Sequence, residues 1–346
     1  MNIKKIGLSA LAGSLAVVSA NAVALSVSGK PAVTYVSKEQ GNVGNPFGMG
    51  NSITFSGSGD VNGMTATYTA AIGDAGQANS NTSETFASSS LMLDMGDMGT
   101  IGFDQGVGEF GVGTIDDKMP YAYEEIWTYV GTSNGLRAAG GTNVLGYKNT
   151  FAGYTLSVEM DPGNMGSATA TTGASGDGGS TGAGTNDTGW NAALTGSPYE
   201  GVSMGVGVGT TEHANDKNKA DRDSSYSTAY VTYAMGGATV GYQMSHGSGG
   251  SVGTSANDVT IYGISYQVNE NLAISYNEME NTFGLGSTGN AVAGAPKEVT
   301  EDTSGVGASY TMGSAAVRVL ASEGNNIGGT EGVKEDHIEV SLMLAF

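Results

Sequence analysis

The stretch His337-Ile338-Glu339-Val340-Ser341-Leu342-Met343-Leu344-Ala345-Phe346 alternates without a break. Ile338, Val340, Leu342, Leu344 and Phe346 are apolar, and His337, Glu339, Ser341, Met343 and Ala345 stand between them. A period of two places the first set on one face of a β-strand and the second on the other. A soluble domain gains little from ending on a strand that is greasy on one face and closes with an aromatic residue. A sheet rolled into a closed barrel inside a lipid bilayer does gain. Its last strand must turn one face to hydrocarbon and pair with the first strand, so that no backbone edge is left unbonded.

The other end reads as an export signal. Lys4 and Lys5 precede an apolar, small-residue stretch from Ile6 to Val18, and the small residues Ala20-Asn21-Ala22-Val23-Ala24 follow. A basic start, a short apolar middle and an A-x-A site are the layout of a secretory signal peptide. We place cleavage after Ala24, with Ala22 as the alternative, so residues 1–24 are the signal and 25–346 one barrel domain. No later stretch has the length of apolar residues that a membrane helix needs.

Composition fits a barrel with a wet interior. Hydrophobic residues make up 39% of the 346, low for a globular domain of that size, and there are 58 glycines and no cysteine. Strands that separate water from lipid need only one apolar face. An exported chain without cysteine does not rely on disulfides. The formal charge is −20, and −22 once the two signal lysines are removed. Such a chain repels nucleic acid; the acidity serves solubility, a bias toward cations at a pore, or both, and net charge alone does not decide between them.

Hairpin rhythm gives the architecture. Strands are expected at 25–37, 50–60, 63–73, 85–95, 98–105, 141–151, 153–161, 188–196, 201–211, 225–235, 237–246, 258–268, 271–281, 303–312, 314–323 and 335–346, sixteen in all. Turn formers such as Asn62-Gly63, Gly96-Asp97, Gly153, Gly236 and Gly313 mark short connections. Long connections at 38–49, 74–84, 106–140, 162–187, 212–224, 247–257, 282–302 and 324–334 alternate with them. Short turns on one side and long loops on the other are the asymmetry of an outer-membrane barrel. The fold class is therefore all-β, a transmembrane antiparallel β-barrel. Tyr154, Tyr233, Tyr266, Tyr310 and Phe346 fall near short-turn ends, as an interfacial aromatic girdle would.

In size, hairpin rhythm, terminal Phe346 and a long third loop, the chain resembles the general diffusion porins of Gram-negative bacteria, which are sixteen-stranded and trimeric. The resemblance implies a homotrimer in the outer membrane, in contact with membrane lipid and lipopolysaccharide, passing small hydrophilic solutes. It implies that Phe346, with Leu344, Leu342 and Val340, serves as the assembly signal. It also implies that the third loop, Gly106 to Gly140, folds inward and narrows the pore. That loop holds Asp116, Asp117, Tyr123, Glu124, Glu125 and Trp127. The family sets loop acids against basic residues on the facing wall, and here Lys30 and Arg318 alternate to the lumen side near mid-height, with Lys148 lower. The family's dense arginine cluster is absent, which favours cations.

Other motifs lead nowhere. Gly106-Val107-Gly108-Glu109-Phe110-Gly111 matches G-x-G-x-x-G, but no helical pattern follows it. Asp216-Lys217-Asn218-Lys219-Ala220-Asp221 lacks the central Gly and closing Glu of a calcium loop, so any Ca²⁺ at the acidic loops is adventitious and no cofactor is expected. His213, His246 and His337 show no metal-ligand spacing. No catalytic arrangement stands out. The expectation is a passive, cation-preferring channel and not an enzyme. The alternatives are an exported non-channel β-protein, such as an adhesin or carbohydrate-binding module, and a substrate-specific porin.

Overall fold

The computed structural model describes residues 25–38, 45–50, 53–72, 86–116, 118–127, 130, 142–161, 188–212, 223–248, 256–284 and 298–345. The expected signal segment 1–24, Asp117, Phe346 and the acidic stretch 216–221 lie outside them. The described strand segments are β1 (Ser26–Gly29), β2 (Ala32–Lys38), β3 (Phe47–Gly50), β4 (Ile53–Val61), β5 (Met64–Ile72), β6 (Phe86–Asp94), β7 (Thr100–Gln105), β8 (Thr142–Phe151), β9 (Tyr154–Asp161), β10 (Thr188–Gly196), β11 (Val202–Glu212), β12 (Ser224–Met235), β13 (Ala238–Gly247), β14 (Asn257–Gln267), β15 (Leu272–Phe283), β16 (Val299–Met312), β17 (Ala315–Asn325) and β18 (Lys334–Leu344). All belong to one antiparallel sheet. Among the described residues there is no α-helix, only short 3₁₀ turns at Gly96–Met98, Gly111–Ile115 and Ile327–Gly329.

The eighteen segments make sixteen strands. In the first hairpin Gly29 stands opposite Ile53 and Ala32 opposite Gly50. Three residues forward on one strand are three back on the other, so the register runs unbroken from β1–β4 into β2–β3. The interruption falls at Lys30 and Pro31. Proline has no N–H to give a ladder, but its carbonyl still accepts from Leu344 N at 3.0 Å. The expected loop 38–49 is thereby corrected: its last residues, from Phe47, continue the second strand. At the other seam β18 pairs with β2, Met343 opposite Ala32 and His337 opposite Lys38, which closes the barrel.

The terminal alternation is realised as read. Ile338, Val340, Leu342 and Leu344 are exposed on the outer face, while His337, Glu339 and Ser341 are buried inside. Around the barrel the same parity exposes Val206, Val231, Ile264, Ile274, Val306 and Val317, an apolar belt a lipid phase would cover. Tyr154, Tyr233, Tyr266 and Tyr310 are exposed near the short connections. Two turns, Asn62-Gly63 with φ of 54° and 84° and Ala152-Gly153 with φ of 49° and 83°, have the left-handed pair that matches strand twist in a two-residue hairpin.

One expectation needs correction. An interior without a core was expected, yet β10 to β17 turn Ala193, Tyr230, Val259, Ile261, Met279 and Leu320 inward, where they form one apolar cluster with the third loop. The physical reason is that this loop brings its own apolar side chains into the lumen, and they need partners there.

Candidate functional site

The third loop enters the barrel through a turn built at its first residues. Asp104, at the end of β7, accepts from Val107 N at 2.7 Å and Glu109 N at 2.6 Å. Gly106 and Gly108 take φ of 89° and 83° in that turn. The glycine motif thus reverses the chain, and only the short 3₁₀ turn Gly111–Ile115 follows it. Phe110 is then fully buried. The Gly111 N–H donates to Ser157 Oγ on β9 at 2.8 Å, and Val112 N–H to Asn191 Oδ1 on β10 at 2.7 Å. Asn191 Nδ2 in turn donates to Glu159 Oε1 at 2.5 Å.

From there the loop follows the inner wall along a track of glycines. A side chain at Gly102 or Gly146 would meet the Phe110 ring, one at Gly207 would meet Val112 and Ile115, and one at Gly241 or Gly263 would meet Pro120. One at Gly305 would meet Ile126, and one at Gly324 would meet Val130. Gly102 is paired across strands with Gly146, and Gly241 with Gly263, so two strands together lose their side chains where the loop needs depth. Hydrogen bonds fix the middle of the loop. Ala122 N–H donates to Ser275 Oγ at 2.9 Å and Asn277 Nδ2 donates to the Pro120 carbonyl at 3.0 Å. The contacts of the described loop residues therefore run from β7 round to β18.

The opposite wall has another character. Ser26, Ser28, Thr34, Thr54, Ser56, Thr67 and Thr69 share the face turned away from exposed Val27, Val33, Tyr35 and Tyr68. Ser56 Oγ and Thr69 Oγ1 lie 3.4 Å apart on it. A hydroxyl-lined surface on one side and a docked, acid-bearing loop on the other bound the passage.

The candidate residues divide accordingly. Tyr123 and Glu124 come together with Arg318: the guanidinium carbon is 5.6 Å from the Tyr123 ring centroid, and Arg318 draws on the charge of Glu124. Asp116, at the end of the 3₁₀ turn, and Glu125 are half-buried and engaged by neighbours. Trp127 is only 7% exposed and packs in the apolar cluster, an anchor of the loop. Lys148 points inward, and its Nζ meets Glu109 Oε2 at 2.8 Å and lies 5.5 Å from the Phe110 ring centroid. Arg318 and Lys148 thus stand beside the loop and touch it. They do not face it across open lumen, because the loop hugs the wall that carries them. Lys30 is exposed at the break in the first hairpin and makes no hydrogen bond or ion pair among the described residues. Val340, Leu342 and Leu344 form the outer face of the closing strand.

Three residues that matter were not singled out from sequence: Glu109, Asn191 and Glu339. Glu339 is the most telling, since Tyr123 Oη donates to its Oε1 at 2.5 Å across 216 residues of sequence. Alternation alone places Glu339 inward; nothing local names its partner. Burial, the adjoining Glu339 and the hydrogen bond to it push Glu124 up to about 8, against the pull of Arg318. Burial and the bond to Glu339 likewise raise the Tyr123 phenol. Among the described residues no cluster of three or more potential metal ligands occurs.

Comparison with known proteins agrees with this geometry. The chain is similar to an outer membrane protein of Vibrio cholerae, OmpT lacking loop L8, with 12% identity and a TM-score of 0.65 over 94% of this chain and 100% of that one. A porin structure refined at 1.8 Å gives 12% identity and a TM-score of 0.63 over 93% and 100%. A variant of the Rh. blastica porin gives 13% and 0.59 over 93% and 100%. At such identities these show a shared fold. No curated protein matches significantly. The family model of the Gram-negative porins matches residues 7–316, and, with its closed antiparallel barrel and inward third loop, this chain belongs to the Gram-negative porin family, diffusion channels of the bacterial outer membrane.

Proposed function

We propose that the channel passes small hydrophilic solutes and ions passively, prefers cations, and is narrowed by residues 106–130. The observation that carries this reading is the docking of the third loop against β7 to β18, which puts Glu124 and its neighbours beside the passage instead of above it. Acids outnumber bases there. Asp104, Glu109, Asp116, Glu124, Glu125, Glu159, Glu301 and Glu339 lie on the loop or the inner wall, against Lys30, Lys38, Lys118, Lys148 and Arg318. Low-dielectric walls focus that excess on the permeating ion. Adventitious Ca²⁺ at the acidic loops would weaken the preference, and the reading needs no cofactor and no catalytic step. We further infer a homotrimer delivered by a cleaved signal peptide, with Phe346 in its assembly signal. A trimer form is described for the Vibrio cholerae protein OmpT, 10% identical with a TM-score of 0.64 over 94% of this chain and 100% of that one.

Planar-bilayer recording in a KCl gradient tests the proposal. The reversal potential should favour potassium, and the preference should weaken at high salt, where the Debye length falls to about 3 Å at 1 M. Deleting residues 112–132 should raise single-channel conductance. Unchanged conductance and selectivity after the deletion would mean that the loop does not set the narrow point.

A further inference from the structure

The last connection, between β17 and β18, also turns inward. Ile327 is the one apolar residue between Ala321 and Val333. Its Cδ1 lies 2.6 Å from the point where a Cβ at Gly324 would stand. Cγ1 of Val130, at the outgoing end of the third loop, lies 2.6 Å from the same point. Gly324 belongs to the inner face of β17, on the parity of buried Leu320 and Ser322. Side chains from two different loops therefore share one depression in the wall, and Val130 is fully buried there.

Hydrogen bonds hold this connection to the wall. The Gly328 N–H donates to Glu301 Oε2 at 2.6 Å. Glu301 is fully buried on the inner face of β16, opposite Asn281 of β15, and a carboxylate so placed is costly without donors. Gly328 has φ of 67°, a left-handed step that turns its N–H toward the wall without steric cost. Asn326 Nδ2 donates to the Thr300 carbonyl at 2.9 Å, and Asn326 Oδ1 accepts from the Gly332 N–H at 2.9 Å. Gly329 lies against the ring of Phe283 on β15, where a Cβ would be 2.9 Å from the ring. The connection thus runs from β17 across β16 to the end of β15, beside the outgoing arm of the third loop.

The third loop is held differently along its length. Its entry is bonded to β9 and β10 through Gly111 and Val112, and its middle to β15 through Pro120 and Ala122. At Val130 its neighbour is another loop. We propose that the last connection clamps the third loop. Ile327 and Glu301 are its positioning residues, and they hold the outgoing arm against β17 so that the narrow point keeps one conformation. The inference rests on the reading of the third loop as the constriction.

The full-length channel has no cysteine of its own, so Val130→Cys combined with Ile327→Cys tests the contact directly. A short bifunctional thiol reagent should join the two positions in the folded protein. Hydrogen exchange should quicken around Val130 in Ile327→Ser and in Glu301→Ala, while Gly111 and Val112 keep their wild-type protection, because their bonds go to other strands. In planar bilayers these two variants should show larger fluctuations of the open level than the wild type. Ile327→Leu, which keeps an apolar side chain in the depression, should restore the wild-type trace. Ile327→Ser reports even if Glu301→Ala folds poorly. No cross-link, unchanged exchange around Val130, or wild-type current fluctuations in Ile327→Ser overturns the proposal. The deletion of 112–132 separates the two ideas. If that deletion changes conductance while Ile327→Ser stays as steady as the wild type, the constriction reading stands and the clamp falls. If the deletion changes nothing, the constriction reading falls, and the clamp has no narrow point to steady.

Discussion

The ring of Phe110 occupies the space that any side chain at Gly146 would need. Gly146 lies on β8 opposite Gly102 of β7, and the ring rests on both. This contact anchors the loop where it turns inward, beneath the Lys148–Glu109 pair. Gly146→Ala must therefore move the ring or the strand, a small-to-large change that costs about 1–3 kcal/mol in a packed site. Phe110→Ala removes a fully buried ring and should cost about 3–5 kcal/mol at most, less where lumen water fills the gap. The double variant should be more stable than the sum of the two single losses predicts, since the clash disappears with the ring. Urea titration of the detergent-solubilised barrel measures all three. Strict additivity would show that the two residues do not meet.

Lys148 and Glu109 form an ion pair at 2.8 Å with both side chains about one-third exposed, at 32% each. A pair this open to water contributes less than about 1 kcal/mol. Lys148→Gln should leave the unfolding midpoint nearly unchanged. It should increase the potassium-to-chloride ratio, because it removes one of the few cations on the inner wall and frees a loop carboxylate. A shift toward chloride would place Glu109 and Lys148 away from the ion path.

The strands were legible in the sequence because lipid and lumen impose a period of two on every one of them. The span 188–196 was read to the residue, and the last strand, expected at 335–346, runs from Lys334 to Leu344. The upper ends of β15 and β16 were read short, since Thr282 and Phe283 and then Val299 to Asp302 carry no clean alternation where a barrel rises above the lipid. The site was only partly legible. The loop's length and aromatics marked it, and alternation turned Arg318 and Lys148 inward. The glycine track was not readable, because Gly207, Gly263 or Gly305 is required by Val112, Pro120 or Ile126, residues of a distant loop, and leaves no local pattern. One signal was available for the inner apolar patch. In Val259-Thr260-Ile261-Tyr262-Gly263-Ile264 apolar residues occupy both parities, and a strand apolar on both faces is buried on both.

The last prediction tests the parity itself. Leu342 on β18 is exposed on the outer face between Val317 of β17 and Val33 of β2, both also exposed. An arginine there would have to enter the apolar belt at the seam that closes the barrel, and near a bilayer midplane such a residue costs about 2–4 kcal/mol. Thr67 on β5 belongs to the inner hydroxyl surface, opposite Ser58 and Met92, while its neighbour Tyr68 is exposed outside. An arginine at Thr67 finds water and should be tolerated. Leu342→Arg should therefore lower the folded fraction recovered in outer membranes, whereas Thr67→Arg should fold normally and lower the cation preference and the conductance. Equal yields for the two variants would show that β18 does not present Leu342 to lipid. A Thr67→Arg channel with wild-type selectivity would show that the hydroxyl wall lies outside the ion path, and the passage would then have to run on the side of the barrel that the loop occupies.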